Sequence, residues 1–440
     1  MIFEKYLRYG ISLKQFKFKR TDKEFIAFLA LLKENEKKSF NEITNYQFTK
    51  LKQQVKNAYD YTKFYRKKYD EKSFKPEDLK VFSDIKKIPI LTRDELRKFS
   101  RLMKLNNFKG KLYKGYTSGT TGHPIELFFD KKTLSREWAS ICYQWARVGY
   151  NPKDGRVEFR GLIEKDIDYI FLPVDRILRI NIIKMSKSNI NTIINKIKKT
   201  KYQFFHGYPS ALYKFAKILE AKKINLSPKA ILLASEVLYD WQMETIDRVF
   251  PFSKKIIHYG QAEKVALGAW NNDRNYHFIP SYGLLEIDEE NNEMIATGFI
   301  NDIMPIIRYR LTDSIEGFQD SPLSPKKTLV PVVKTIHGRI EDYTYNSKGE
   351  MIPPAVVTFP FKKLKHIRAC KIIQNSLIDF NVIFETTKKE NSLMEIENII
   401  NDLKKIYGKD SNMKINIVDK IPVDKSGKFK WIESNFKIKE

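Results

Sequence analysis

The chain of 440 residues carries 80 Lys and Arg against 53 Asp and Glu, a formal charge of +27, with 42% hydrophobic and 13% aromatic residues. That length exceeds one ordinary core and predicts a large domain plus a smaller one, or two to three domains, while the apolar content without long Gly, Ser or Pro tracts excludes a disordered chain. The two cysteines, Cys142 and Cys370, lie far apart without CxxC spacing, which excludes a disulfide framework and a thiolate metal site and points to a reducing cytoplasm.

The positive charge is spread along the chain, mostly as pairs such as Lys37-Lys38, Lys86-Lys87 and Lys254-Lys255. With no long basic block, zinc-finger spacing or aromatic RNA-binding signature, these read as solvated basic faces, and nucleic acid is not an expected partner. An anionic membrane surface or a polyanionic substrate such as a nucleotide fits the same field.

In chain order, FIAFLALL (25 to 32) follows a basic stretch and runs directly into KENEKK with no small-residue cleavage site, so it reads as an amphipathic or buried helix rather than a signal peptide. No run approaches the 18 apolar residues of a membrane span. Phe48, Leu51, Val55 and Ala58, spaced three and four apart after Ser39, predict a capped helix, and Thr92 with Glu95 has capping-box spacing. The first 110 residues therefore read as a mainly helical lead-in. KLYKGY and PIELFF are strand-like runs flanking GYTSGTTGHP (115 to 124), which makes that stretch a turn between neighbouring strands.

From about 156 to 260, VEFRG, a helix near 188 to 199, YQFFHGYPS, a helix from Ser210 to Lys222, AILLAS, a helix from Tyr239 to Phe250, and KKIIHYG alternate. Such alternation predicts a largely parallel sheet covered by helices. GLLEI and MIATGF then flank the turn-prone DEENNE, and PIIRYRL and VPVVKTI follow as strands. After the turn NSKGE, the segments DFNVIFE, a helix around 393 to 406 and KINIVD predict a small α+β domain. The expected division is 1–341 and 342–440.

The loop Thr117 to Gly122 lacks charge and bulk. Closely spaced backbone N–H groups can form an anion-binding nest, and the Ser118, Thr120 and Thr121 hydroxyls add donors around Gly119 and Gly122. A flexible turn is the alternative reading of the same residues. The lysine-bearing phosphate loop GxxxxGK[ST] is absent from the sequence.

YTSGTTGHP resembles the phosphate loop of the adenylate-forming superfamily of acyl-CoA ligases, luciferases and peptide-synthetase adenylation domains, and four further motifs follow in that superfamily's order. HYGQAE closes an apolar strand. The resemblance implies that Tyr259 lies against adenine beside Gly260 and that Glu263 is a hard oxygen ligand for Mg2+. Ala262 stands where the superfamily usually has Thr or Ser, which removes one phosphate contact. YRLTD implies that Asp313 accepts from the ribose hydroxyls. GRIED implies that Arg339 sits near ribose and phosphate and that Asp342 is the hinge of a mobile small domain. PVDKSGKFK places Lys428 at the catalytic lysine.

The fold implied is α/β: a large multi-sheet N-terminal domain with helices packed on largely parallel sheets, and a small α+β lid. NAYDYTKFYRKKY, IPILTRDELR, HGYPSALYKFAK, ASEVL and DKIPVDKSGKFK further resemble phenylacetate-CoA ligase-like proteins of the bacterial capsule and surface-polysaccharide branch. Some phenylacetate-CoA ligases carry a cysteine-bound zinc, which two distant cysteines exclude here. The resemblance implies ATP and Mg2+, a carboxylic acid substrate, and as acyl acceptor a thiol, coenzyme A by default or that of a carrier protein, or a sugar amine. His206, Tyr208, Glu236 and His258 are the expected acyl-pocket residues, with packed aromatics as the alternative for the rings. Two other readings stay open: a nucleotide-binding or scaffolding protein on this fold without turnover, and a basic nucleic-acid or membrane-surface protein.

Overall fold

The computed structural model describes residues 21–117, 125–161, 167–186, 188–236, 238–271, 273–288, 293–319, 331–337, 344–352, 354–357, 360–361, 366–367, 369–386, 389–421 and 432–435. Its N-terminal helices form where the caps and apolar spacing require them. In α1 (Lys23–Asn35), the Asp22 carboxylate accepts the Phe25 N–H and the helix buries Phe25, Phe28 and Leu32. In α2 (Phe40–Tyr61), Ser39 and Glu42 bond each other's backbone N–H groups, and Leu51, Val55 and Ala58 are buried. After α3 (Lys63–Glu71), α4 (Arg93–Phe99) opens on the same device, with Thr92 and Glu95 as partners.

The strands β1 (Tyr113–Tyr116) and β2 (Glu126–Phe129) pair antiparallel, as the flanking runs predict. α5 (Lys131–Trp145) is not among the elements expected from the sequence. Its signal is Asp130, whose carboxylate accepts the Thr133 N–H at 2.8 Å, followed by Ala139, Cys142 and Trp145 on the buried stripe.

Next come β3 (Arg156–Arg160), β4 (Tyr169–Leu172), β5 (Ile177–Asn181), α6 (Ile190–Thr200), β6 (Phe204–Gly207), α7 (Pro209–Ala221), β7 (Ala230–Ala234), α8 (Asp240–Val249) and β8 (Lys254–Gly260). They are followed by β9 (Leu267–Trp270), β10 (Tyr276–Phe278), β11 (Gly283–Asp288), β12 (Glu293–Gly298), β13 (Tyr309–Gln319) and β14 (Val332–His337). Twelve of these strands form one mixed sheet in the order β11-β12-β13-β14-β10-β9-β8-β7-β6-β3-β5-β4. The run β5-β3-β6-β7-β8 is parallel, and every other pairing is antiparallel.

A parallel sheet hides both faces, so its strands are apolar throughout. Phe205, Ile231, Leu233 and Ile257 pack on one face with Ile193, Leu212, Phe215 and Ile246 of α6, α7 and α8. Phe204, Ala230, Leu232 and Ile256 pack on the other with Ala139, Cys142 and Trp145 of α5 and Phe25, Phe28 and Leu32 of α1.

The segment PIIRYRL is strand only from Tyr309 onward. Arg308 holds a left-handed φ of 44°, uncommon for a side chain of this size. Its guanidinium is fixed by a bidentate bond to buried Glu286 and by the Ile88 carbonyl at 2.6 Å, and its N–H donates to Thr297 Oγ1. These bonds hold the kink against its strain.

Downstream lie β15 (Thr344–Tyr345), β16 (Met351–Ile352), α9 (Pro354–Val357), β17 (Ala369–Gln374), β18 (Asp379–Glu385), α10 (Lys389–Tyr407), β19 (Asn412–Val418) and β20 (Ile432–Ser434). The last four strands form a separate sheet, β19-β18-β17-β20, of α+β type. Lys214 of α7 reaches Glu350, in the turn between β15 and β16, at 3.2 Å.

Candidate active site

Side chains alternate across a strand, so His258 and Tyr259, adjacent at the C-terminal end of β8, face opposite sides of the sheet. Each heads a distinct polar cluster.

On the first side, the Tyr259 hydroxyl donates to Asp313 Oδ2 at 2.6 Å, joining β8 to β13. Burial, and then the Asp313 charge, push the Tyr259 hydroxyl well above its ordinary range, so it stays a neutral donor. The half-buried ring meets Phe278 edge-on at 6.0 Å. Four residues on, Glu263 is buried, and Tyr309 donates to its Oε1 at 3.2 Å. Lys264 has a left-handed φ of 58°, pairs with Glu137, and lies 4.8 Å over the Phe129 ring of β2. That contact sets the hairpin against the end of β8.

Thr117 and Ile125 close the loop between β1 and β2. The Thr117 N–H donates to the Ile125 carbonyl at 3.2 Å, and the Ile125 N–H donates to Thr117 Oγ1 at 3.0 Å. Ser118, Gly119, Thr120, Thr121 and Gly122 lie outside the described residues, as do Arg339, Asp342 and Lys428. Gly260 is the exposed end of β8, and Ala262 is half-buried against the core that Leu127, Phe128 and Phe129 share.

The donor set at this end suits a hard cation. Glu263 supplies carboxylate oxygen only, with one oxygen already oriented by Tyr309. A Mg2+ ion entering on a triphosphate would take its remaining ligands from phosphate and water, as Mg2+ usually does. The residues present therefore fit that ion.

The second cluster lies on the α5 side. The parallel register places Arg179, Glu158, His206, Leu232 and Ile256 in one row, with Arg160, Ala234 and His258 two residues further along. Glu158 Oε1 accepts from Arg156 at 2.7 and 3.0 Å, and Oε2 accepts from Arg179 at 2.7 and 3.0 Å. Burial works against its charge, but Arg156 and the other neighbours prevail and hold the carboxyl well below its ordinary range.

His206 is buried, its Nδ1 3.6 Å from Glu158 Oε1, beyond hydrogen-bond length. The two imidazoles stack at 6.4 Å, and the Trp145 ring flanks both, 4.8 Å from His206 and 5.9 Å from His258, with its Nε1 donating to His258 Nδ1 at 3.4 Å. Burial is the largest cause lowering both histidines, to about 4 for His206 and about 3 for His258. Both rings are neutral near pH 7. Arg160 donates to the Tyr208 hydroxyl at 3.1 Å and lies 5.0 Å over that ring.

The expected pocket residues thus separate. His206, Tyr208 and His258 share this cluster, whereas Glu236 is tied to the start of α7, accepting from Ser210 N–H at 3.2 Å and Oγ at 2.6 Å. Trp145, Arg156, Glu158, Arg160 and Tyr309 were not singled out from the sequence. The spacing of Arg156, Glu158 and Arg160 is itself a signal, because three charges at period two on a strand share one face.

Comparisons with known proteins bear on the fold and the family rather than on these side chains. The CapK C-terminal domain family matches residues 344–435. Over 370 residues the chain is 23% identical to Protein CapK of Staphylococcus aureus, covering 81% of each. Over 300 residues it is 24% identical to a phenylacetate-coenzyme A ligase of Aromatoleum evansii, covering 63% of this chain and 67% of that one. The fold superposes on 2-hydroxyisobutyryl-CoA ligase, solved in complex with 2-HIB-AMP and CoA, with a TM-score of 0.56, 16% identity and 90% of each chain covered.

Proposed function

We propose that the chain is an adenylate-forming ligase, similar to phenylacetate-CoA ligases and to Protein CapK, which activates a carboxylic acid with ATP and passes the acyl group to a thiol. The carboxylate attacks the α-phosphorus, an acyl-adenylate forms and pyrophosphate leaves. Coenzyme A is the acceptor on this reading.

The observation that carries the proposal is the Tyr259–Asp313 pair at the C-terminal end of β8, with Glu263 four residues on. Ligands of open α/β sheets gather at that edge. Tyr259 offers adenine a flat face whose hydroxyl is already bonded, and Asp313 keeps a second oxygen for the ribose diol. The Ser118 to Gly122 hydroxyls and backbone N–H groups would hold the triphosphate between the strands that Thr117 and Ile125 clamp. Mg2+ would offset phosphate charge at Glu263. Lys428 would neutralise charge building on the α-phosphate, and Arg339 would add a fixed positive fork. Asp342 would be the hinge between residues 1–341 and 342–440, carrying Lys428 in and then away for the second step.

We further propose, from the resemblance of the sequence to the capsule and surface-polysaccharide branch, a role in that assembly on the cytoplasmic side, with the basic surface turned toward anionic lipid. No described helix is long and apolar enough to cross a membrane.

Pyrophosphate release across aryl, fatty, hydroxy and amino acids tests the reading. Release should depend on the acid, and Lys428→Ala should lower it by about a hundredfold or more. ATP with Mg2+ at about a hundred times its dissociation constant should still stabilise that variant by roughly 2.7 kcal/mol. No release with any acid, together with no stabilisation by ATP, overturns the proposal.

A further inference from the structure

The cluster on the α5 side of β8 has a charge imbalance. Arg156, Arg160 and Arg179 bring three guanidinium groups to it, and Glu158 is the carboxylate among the described residues that meets them. Both Glu158 oxygens are already engaged by Arg156 and Arg179. Arg160 is left against the uncharged hydroxyl and ring of Tyr208. The neighbouring histidines add no further positive charge, because both are neutral.

A second observation points the same way. His206 is 5% exposed, and among the described residues neither of its ring nitrogens has a hydrogen-bond partner, with Glu158 Oε1 at 3.6 Å from Nδ1. Buried polar atoms in folded chains are nearly always partnered, so an imidazole with no hydrogen bond among the described residues, beside a guanidinium whose nearest described carboxylate is already engaged by two others, marks a place for a polar ligand. On His258, the Trp145 N–H occupies Nδ1 and leaves the proton to Nε2.

Arg160, Tyr208, Ala234 and His258 stand at or just beyond the C-terminal ends of β3, β6, β7 and β8. This is the ligand-collecting edge of the sheet, one residue from Tyr259. An acid activated beside Tyr259 would reach this row by passing its acyl chain over the C-terminal edge of the sheet, since Tyr259 and His258 face opposite sides. A purely apolar chain would leave the guanidinium desolvated with no anion to meet it.

We propose that the acid this chain activates carries a second carboxylate at the far end of its acyl chain, and that Arg160, braced by Tyr208, receives it, with His206 and His258 adding N–H donors. The inference rests on the ligase reading and narrows it to dicarboxylates. A guanidinium matches a carboxylate with two parallel N–H bonds, which a lysine in the same place does not reproduce.

The test pairs dicarboxylates from malonate to suberate with monocarboxylates of equal length, measuring kcat/KM for pyrophosphate release by the full chain. A dicarboxylate should exceed its partner by tenfold or more. Arg160→Met should lower that ratio by on the order of tenfold to a hundredfold, with Arg160→Lys recovering part of it and Tyr208→Phe losing less. A wild-type preference for monocarboxylates, or a ratio unchanged in Arg160→Met, overturns the inference and leaves the ligase reading intact. A parallel arm reads thermal shifts without ATP. A dicarboxylate should raise the Tm of the wild type and not that of Arg160→Met. That result without pyrophosphate release from any acid would sink the ligase reading and keep the anion site, whereas equal shifts in both proteins overturn the site itself.

Discussion

The two clusters at the end of β8 differ in how their polar groups are satisfied. Toward Tyr259, the hydroxyl rests on Asp313 and Glu263 rests on Tyr309, so each group is oriented before any ligand arrives. Toward His258, three guanidiniums meet one described carboxylate, and a buried histidine makes no hydrogen bond among the described residues. A cluster that receives the same nucleotide in every turnover can be completed by the protein's own bonds. One that selects among acids keeps part of its bonding capacity for the substrate. A single residue step along β8 separates them.

The largest effect expected is on the second cluster. Glu158→Gln keeps the shape of the side chain but leaves Arg156 and Arg179 in a buried row without their counter-charge. Breaking a buried ion pair in this way costs about 3–5 kcal/mol, and the partial exposure of Arg179 favours the lower end. Urea unfolding of the two proteins measures it. A loss under about 1 kcal/mol would mean that the row is solvated, and the contrast between the clusters would fail.

Asp313→Ala addresses the first cluster. It removes the acceptor proposed for ribose and frees the Tyr259 hydroxyl. KM for ATP should rise by about tenfold to a hundredfold, or roughly 1.5–3 kcal/mol, while the ratio of dicarboxylate to monocarboxylate stays as in the wild type. Arg160→Met should do the reverse. Variants that each moved both quantities would show one site rather than two.

Much of the first cluster was legible because its residues are close in sequence and bound to a turn or strand end. HYGQAE and YRLTD each sit in a short segment whose strand character follows from its apolar run, and the capped starts of α2 and α4 follow from Ser39, Glu42, Thr92 and Glu95. The second cluster was not, because it exists only through register. Glu158, His206 and Arg179 come from three strands, and no local pattern says that they are neighbours. Trp145, which flanks the stacked histidines, lies on a helix with no strong local signal beyond Asp130, and Arg308 bends the chain through bonds to residues 22 positions away and more. The phosphate loop, hinge and catalytic lysine were named on resemblance, and the roles of Ser118 to Gly122, Arg339, Asp342 and Lys428 rest there.

Acidification separates the clusters more finely. Burial first, and then the charges of Arg160 and Arg156, outweigh the pull of Glu158 and lower His206 to about 4. An unfolded histidine titrates near 6.5, so between pH 6.5 and 4 the unfolded chain binds a proton that the folded chain refuses. The stability held in this neutral ring is complete above pH 6.5 and is lost as pH falls through that window. Glu158, held low, adds loss in the same direction only at more acid pH. The Tm should therefore decline from pH 7 to 5, and His206→Phe, which keeps a buried ring without a titrating group, should remove about 1–2 kcal/mol of the decline. Parallel profiles for the two proteins would mean that His206 does not hold its neutrality against acid.

The smallest effect expected is at Tyr309, whose hydroxyl orients Glu263 from a buried position. Tyr309→Phe leaves the carboxylate in place with one bond fewer, so stability should fall by only about 0.5–1.5 kcal/mol. The kinetic outcome is the more informative one. If Glu263 works through charge building on the phosphates, a slightly misplaced carboxylate should lower kcat a few-fold and leave KM for ATP nearly unchanged, since a group that matters chiefly in the transition state shows itself in kcat. A raised KM with unchanged kcat would instead assign Glu263 to holding the nucleotide. The first cluster would then be a binding surface throughout, with the chemistry left to residues beyond β8 and β13.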